Sequence, residues 1–216
     1  MGINKTYAVF GLGRYGRAVA EELVKSGAEV LAVDVDQNNV NSAIETLPVC
    51  KCADITEPET IKRLDIANVD VVVVAMASNL EASVLAVALC KEVGVKTVIA
   101  KCATEMHQKI LKSVGADQVT FPEKESGTRL AKNLITSGFS EMMELSDEVS
   151  MVELDVKDEW VGKTLMELSL RKKYSINVVA VKNGERIITD IDPAQPLEKG
   201  MELIVIANVA KLKKIK

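Results

Sequence analysis

Along residues 6–121, short apolar runs alternate with stretches of helical period. The runs are TYAVF (6–10), EVLAV (29–33), PVCKC (48–52), DVVVVAM (70–76), TVIAK (97–101) and QVTF (118–121). Gly27, Gly94 and Gly115 fall just past three helical segments, where a left-handed cap is expected. Thr56-Glu57-Pro58-Glu59 reads as a helix start, with Thr56 capping, Pro58 in the first turn and Glu59 closing a capping box. Six strands alternating with helices predict an α/β fold, a Rossmann-like doubly wound parallel sheet. DVVVVAM lacks polar alternation, as expected of a strand covered on both faces.

The pattern changes after residue 121. Pro122 is expected to stop the sixth strand, residues 124–136 to form a helix, and SGFSEMMELSDE (137–148) to connect through a short helix. SMVELDV (150–156) alternates like a strand, and GKTLMELSLRKK (162–173) has helical spacing. INVVAVKNGERIITDI (176–191) holds Asn183-Gly184 between apolar runs, a hairpin signal, and GMELIVIA (200–207) adds a last strand. The expected organisation is a nucleotide-binding domain over 1–136 and a small α+β domain over 137–216.

Composition narrows the function. Of 216 residues 48% are hydrophobic and 27% charged, which suits a packed core under a solvated surface. A net charge of −4 and only 3% aromatic residues argue against a nucleic-acid binder, which needs a basic face or stacking platforms. The longest apolar runs, 71–77 and 203–210, are far short of a membrane span, so no direct insertion is expected. No secretory signal is read in MGINKT, and Met1-Gly2 is not taken as a lipidation site. Cys50, Cys52, Cys90 and Cys102 form no CxxC pair and are read as small, reduced core residues rather than a zinc site.

Gly11-x-Gly13-x-x-Gly16 follows an expected strand and opens an expected helix, which is its required context. Gly11 permits the tight turn, Gly13 lets backbone approach a phosphate, and Gly16 lets the helix pack on the strand. The helix N-terminus then attracts an anion. Asp34 ends the second strand, where a carboxylate accepts ribose hydroxyls and repels a 2′-phosphate. Asp36 is read as a helix cap. Asp54 has two readings, a base contact or a cap. Arg14 is unusual, because cations are disfavoured at a helix N-terminus, and so points to an anionic partner. Lys101 ends the fifth strand on the ligand edge, and Glu123 follows the sixth as either a cap or a metal ligand. Tyr15, Val35, Ile55, Ala75 and Met76 complete the expected cofactor-binding set. His107 is placed on a helix surface. No acid–base pair suited to hydride transfer and no Walker lysine is recognised, so no catalytic residues are assigned and the chain is expected not to be an enzyme. The rivals are an NAD-dependent oxidoreductase and an NAD(H)-sensing scaffold.

YAVFGLGRYGRAVAEELVKSGAEVLAVDVD, ADITEPETI, VVVVAMASNLEAS, VIAKC and DQVTFPEKESG together resemble the RCK (TrkA-N/TrkA-C) family. The second unit, VGKTLMELSLRKKYSINVVAVKNGE through PLEKGMELIVIA, resembles that family's C-terminal domain. These are cytosolic gating subunits of Trk/Ktr potassium transporters, and the single copy here is most like the short Ktr type. The resemblance implies homodimers assembled into an octameric ring, peripheral at the inner face of the membrane beneath a potassium-conducting partner. It implies ATP and ADP competing for the Rossmann site, with NAD(H) in some relatives. By the same resemblance Arg14 reaches a γ-phosphate across subunits, Lys101 holds phosphate, and Glu123 helps hold a divalent cation such as Mg²⁺. It also implies a cyclic di-AMP site at Met166, Arg171, Asn177, Val178 and Pro193. Ala53 departs from the pattern, where relatives often have glycine. Trp160 is read as a packing or dimer anchor.

Overall fold

The computed structural model describes residues 5–135, 139–146 and 148–208. The chain divides into two compact units, Met1–Lys124 and Glu125–Lys216.

In the first unit, strands β1 (Thr6–Phe10), β2 (Glu29–Asp34), β3 (Cys50–Cys52), β4 (Val71–Val74), β5 (Thr97–Lys101) and β6 (Gln118–Thr120) form one sheet in the order β3-β2-β1-β4-β5-β6. All five pairings are parallel. The inner strands have two apolar faces, and helices cover both. Ala8, Phe10, Val72 and Val74 pack with Ile61, Ala86, Val87 and Leu111 from α3 (Pro58–Arg63), α4 (Leu80–Glu92) and α5 (Glu105–Ser113). The alternate positions Val9, Ala32 and Val73 pack with Ala20, Val40 and Ala43 from α1 (Arg14–Lys25) and α2 (Gln37–Ala43). This two-sided burial is why β4 reads as four consecutive valines. Strand order reverses between β1 and β4, and a crevice opens there beyond the carboxyl ends of the strands.

Three local expectations are corrected. The helix expected from residue 124 starts two residues earlier: β6 has ended at Thr120, and Pro122 opens α6 (Pro122–Ile135), where its missing N–H costs no helical bond. The cap of α3 is Glu57, which makes no side-chain cap bond; the Thr56 hydroxyl donates instead to Asp54 (2.7 Å), and Glu59 pairs with Lys62. Cys52 is exposed and Cys50 half-buried on the edge strand β3, so only Cys90 and Cys102 are core residues. Burial pushes the Cys90 thiol up to about 12, leaving it unreactive.

The second unit is an antiparallel sheet in the order β10-β9-β11-β8-β7, from β7 (Phe139–Glu144), β8 (Val149–Asp155), β9 (Asn177–Asn183), β10 (Arg186–Ile188) and β11 (Met201–Asn208). One face buries Val152, Leu154, Leu203 and Val205 with Trp160, Leu168 and Ile176. Trp160 is therefore a packing residue. The expected 162–173 helix is two short ones, α7 (Leu165–Leu168) and α8 (Leu170–Tyr174), parted at Ser169 with φ 48°. Thr164 and Glu167 form a reciprocal capping box on α7. The hairpin loop is Gly184-Glu185, one residue later than the Asn-Gly pair itself, because Asn183 pairs with Arg186. The expected connection over 137–148 is corrected as well: β7 occupies 139–144, while 136–138 and 147 lie outside the described residues.

Candidate nucleotide cleft at the strand-order reversal

A cleft of about 1090 Å³ occupies the crevice, ample for a nucleotide or dinucleotide. Gly11, Gly13, Arg14, Tyr15, Asp34, Val35, Asp54, Ile55, Ala75, Met76, Lys101 and Glu123 all line it. Gly16 lies beneath the turn instead. A Cβ on Gly16 would collide with the Gly11 carbonyl oxygen and come within 2.8 Å of Ala75 Cβ. Gly11 holds φ at 91°, the left-handed turn that side chains disfavour. Gly13 is different: it has φ −65°, and a Cβ there would meet nothing within 4 Å. Neither backbone strain nor protein packing calls for glycine at 13, and the space before it is open towards the cleft.

The first turn of α1 faces this space. Side chains cap α2 (Asp36), α4 (Asn79) and α5 (Thr104), whereas α1 has no side-chain cap and no acid in its first turn. An anion in the cleft would complete it.

Asp34 sits 9% exposed at the end of β2. Its carboxylate accepts from the Leu12 N–H (2.5 Å), the Asp36 N–H (2.8 Å) and the Asn39 amide (3.1 Å). It therefore ties the glycine turn to β2 and α2 as well as facing the cleft. Asp36 accepts from the Asn38 N–H (2.8 Å), the cap its position suggested. Asp54 accepts from the hydroxyl and N–H of Thr56, and these bonds, the hydroxyl's first, hold its carboxyl below the usual range. It holds the turn before α3 rather than capping the helix, and it lines the cleft.

At the opposite end Lys101 Nζ bonds Glu123 Oε1 (2.6 Å) and stands 5.3 Å from the Tyr15 ring centroid. The Lys101 hydrogen bond is the chief cause of the lowered Glu123 pKa, with the Arg14 charge a lesser one. Asp34, Asp36 and Asp54 stand at the β2–β3 edge, and the basic residues Arg14, at the start of α1, and Lys101, at the end of β5, stand across the cleft, where Lys101 is paired with Glu123. This polarity suits a ligand with a ribose at one end and phosphates at the other.

His107 is corrected. It is buried, its Nε2 is 2.8 Å from Ser83 Oγ, and its Nδ1 accepts from the Ala103 N–H (3.4 Å). It pins α5 to α4 and does not line the cleft. Asn39, Ser78, Asn79 and Glu81 line the cleft without having been singled out. Asn39 was findable, since a residue five after the strand-ending acid sits in the first turn of the next helix.

In the second unit Met166, Arg171, Asn177 and Pro193 are exposed and Val178 is half-buried. The structure joins Met166 N–H to the Pro193 carbonyl (3.3 Å). Among the described residues, no three His, Cys, Asp or Glu side chains gather as a metal site, Glu123 included.

A parallel sheet of this order with a glycine turn and a strand-ending acid defines a Rossmann-type nucleotide-binding fold. The TrkA-N domain family matches residues 7–122 and the TrkA-C domain family matches residues 149–216. The chain belongs to the TrkA-N/TrkA-C family. It is 35% identical over 210 residues to Ktr system potassium uptake protein C of Bacillus subtilis (strain 168), covering 97% of this chain and 95% of that protein. Identity is also 35%, over 209 residues and the same shares, to Ktr system potassium uptake protein A of Vibrio alginolyticus. Among solved structures, the GsuK channel bound to NAD superposes with a TM-score of 0.65 at 15% identity, over 98% of this chain and 39% of that one. This chain thus spans about two fifths of that channel chain, and at such identity the likeness shows the fold.

Proposed function

We propose that this chain is a nucleotide-sensing regulatory subunit of a bacterial potassium uptake transporter. The observation that supports it most is the polarised cleft, with Asp34 at one end and Arg14 and Lys101 at the other, in a chain similar along its length to Ktr potassium uptake proteins. ATP and ADP share the ribose end and differ at the phosphate end. Arg14 and Lys101 can therefore supply the differential affinity that shifts a population between two conformations. A divalent cation such as Mg²⁺ with Glu123 would offset the added phosphate charge. The reading is not enzymatic: the single histidine is held by Ser83 away from the cleft.

Residues 1–136 would sense the nucleotide, and 137–216 would dimerise and offer the second site at Met166, Arg171, Asn177, Val178 and Pro193 to cyclic di-AMP. Homodimers would assemble into an octameric ring, in the cytoplasm against a membrane-embedded potassium-transporting partner. No described helix is long and apolar enough to cross a membrane, so attachment would come through that partner.

Calorimetric titration of nucleotide-stripped protein with ATP, ADP, NADH and cyclic di-AMP, with and without Mg²⁺, tests this. Strong ATP and ADP binding with weak NADH is expected, and Arg14→Ala should weaken ATP far more than ADP. Strong NADH binding without a triphosphate preference would overturn the reading in favour of an NAD-dependent oxidoreductase or an NAD(H)-sensing scaffold. Equal losses for ATP and ADP in the arginine variant would remove Arg14 from the γ-phosphate.

A further inference from the structure

Asn39 stands in the first turn of α2, three residues after its cap Asp36, and this placement returns its side chain to the end of β2. Among the described residues that side chain makes one hydrogen bond, from Nδ2 to Asp34 Oδ2 (3.1 Å). Its amide orientation is fixed by this contact, because a carboxylate only accepts.

The acceptor positions of Asp34 can be counted. A carboxylate has about four lone-pair positions. Leu12 N–H and Asn39 Nδ2 fill both on Oδ2, and Asp36 N–H fills one on Oδ1. One acceptor position remains on Oδ1. A ribose presents two vicinal hydroxyls, so the carboxylate can accept from only one while these bonds stand. The second N–H of Asn39 is a donor beside that acceptor, and Asn39 lines the same cleft. Donor and acceptor side by side complement a diol in which one hydroxyl donates and its neighbour's oxygen accepts.

We propose that Asn39 is a specificity-determining residue that reads one ribose hydroxyl of the bound nucleotide while Asp34 reads the other. This rests on the nucleotide reading of the cleft. The pair discriminates ribose from either deoxyribose, and the preference at one hydroxyl belongs to Asn39 rather than to the acid.

The test is titration of the full chain and of Asn39→Ala with ADP, 2′-deoxy-ADP and 3′-deoxy-ADP. The unaltered protein should bind ADP about fivefold tighter than either deoxy analogue, the usual effect of one lost hydrogen bond. In Asn39→Ala the preference at one hydroxyl should collapse to within about twofold, while the other persists. If Asn39 only steadies Asp34, all three ligands weaken together and both ratios survive, which overturns the assignment but leaves the nucleotide reading standing. An unaltered protein with no affinity for ADP overturns both.

Discussion

Lys101 Nζ lies 2.6 Å from Glu123 Oε1, so the cation that ends β5 at the end of the cleft proposed to take phosphate already has a partner. The lysine side chain is 15% exposed and the glutamate 64%, so the contact is only partly screened. An arriving phosphate must share Lys101 with Glu123 or displace it. In EDTA, Glu123→Gln should therefore bind ADP about threefold more tightly, the scale of a partly exposed ion pair, while Lys101→Met should bind it more weakly. The lowered Glu123 pKa fixes the pH range: the pair is intact above the ordinary carboxylate range and is lost only as pH falls through the lower folded value. Titrations at neutral pH compare like states. Weaker ADP binding by Glu123→Gln in EDTA would show that the carboxylate is not a competitor.

Gly13 and Gly16 share one turn but should fail differently. A Cβ at 16 strikes the Gly11 carbonyl oxygen, and Gly11 is held by its N–H to the Val33 carbonyl (2.8 Å). Gly16→Ala is thus expected to cost more than about 3 kcal/mol, seen as a large fall in Tm or loss of soluble protein. At Gly13 the backbone suits any residue and a Cβ meets no protein atom. Gly13→Ala should cost about 1 kcal/mol or less, yet weaken nucleotide binding by more than about tenfold by filling phosphate space. Paired thermal melts and titrations separate the two. Undiminished ADP binding by Gly13→Ala would move the phosphates out of the turn.

The parallel sheet and its ligand edge were legible because each strand carries its own apolar run. Asp34 and Lys101 are located by strand ends that the runs themselves mark, and Arg14 by the glycine turn that follows β1. The Lys101–Glu123 and Asp34–Asn39 contacts were not legible, since each joins two elements through space. His107 was misplaced by a small rotation of α5. It shares a buried face with Leu111 four residues on, while Met106 is 64% exposed. β7 was missed because Phe139, Met142 and Met143 have helical spacing. A register shift between Phe139 and Met142 in its pairing with β8 breaks the alternation that marks a strand.

The buried His107 should make stability depend on pH. Burial lowers its pKa below the ordinary imidazole value of about 6.5. With Nδ1 accepting from Ala103 N–H, the neutral ring donates from Nε2 to Ser83 Oγ, which in turn donates to the Leu80 carbonyl (2.8 Å). Above pH 6.5 both folded and unfolded chains hold the ring neutral. Below it the unfolded chain takes up the proton first, so stability falls as pH drops, by at most about 1.4 kcal/mol per pH unit. Urea unfolding at pH 7.5, 6.5 and 5.5 should show the unaltered protein losing more stability on acidification than His107→Gln. Parallel losses would mean that the imidazole is protonated in the folded chain as readily as in the unfolded one.

In the second unit, Lys182 of β9 lies opposite Glu202 of β11 and bonds Oε2 of Glu202 (2.9 Å) and of Glu153 on β8 (2.6 Å). One ammonium thus links three adjacent strands on the face away from the apolar core. Its pKa is raised by the hydrogen bond to Glu153 first and to Glu202 second. A raised lysine pKa contributes stability that is fully present at neutral pH and is lost only as pH climbs through the folded value. Lys182→Met removes the shared cation and leaves two half-buried carboxylates facing each other, so it should lower Tm more than Glu153→Gln or Glu202→Gln. Glu153→Gln in the Lys182→Met background should then restore part of the loss by relieving that repulsion. Strictly additive Tm changes across this cycle would show that the three side chains act independently.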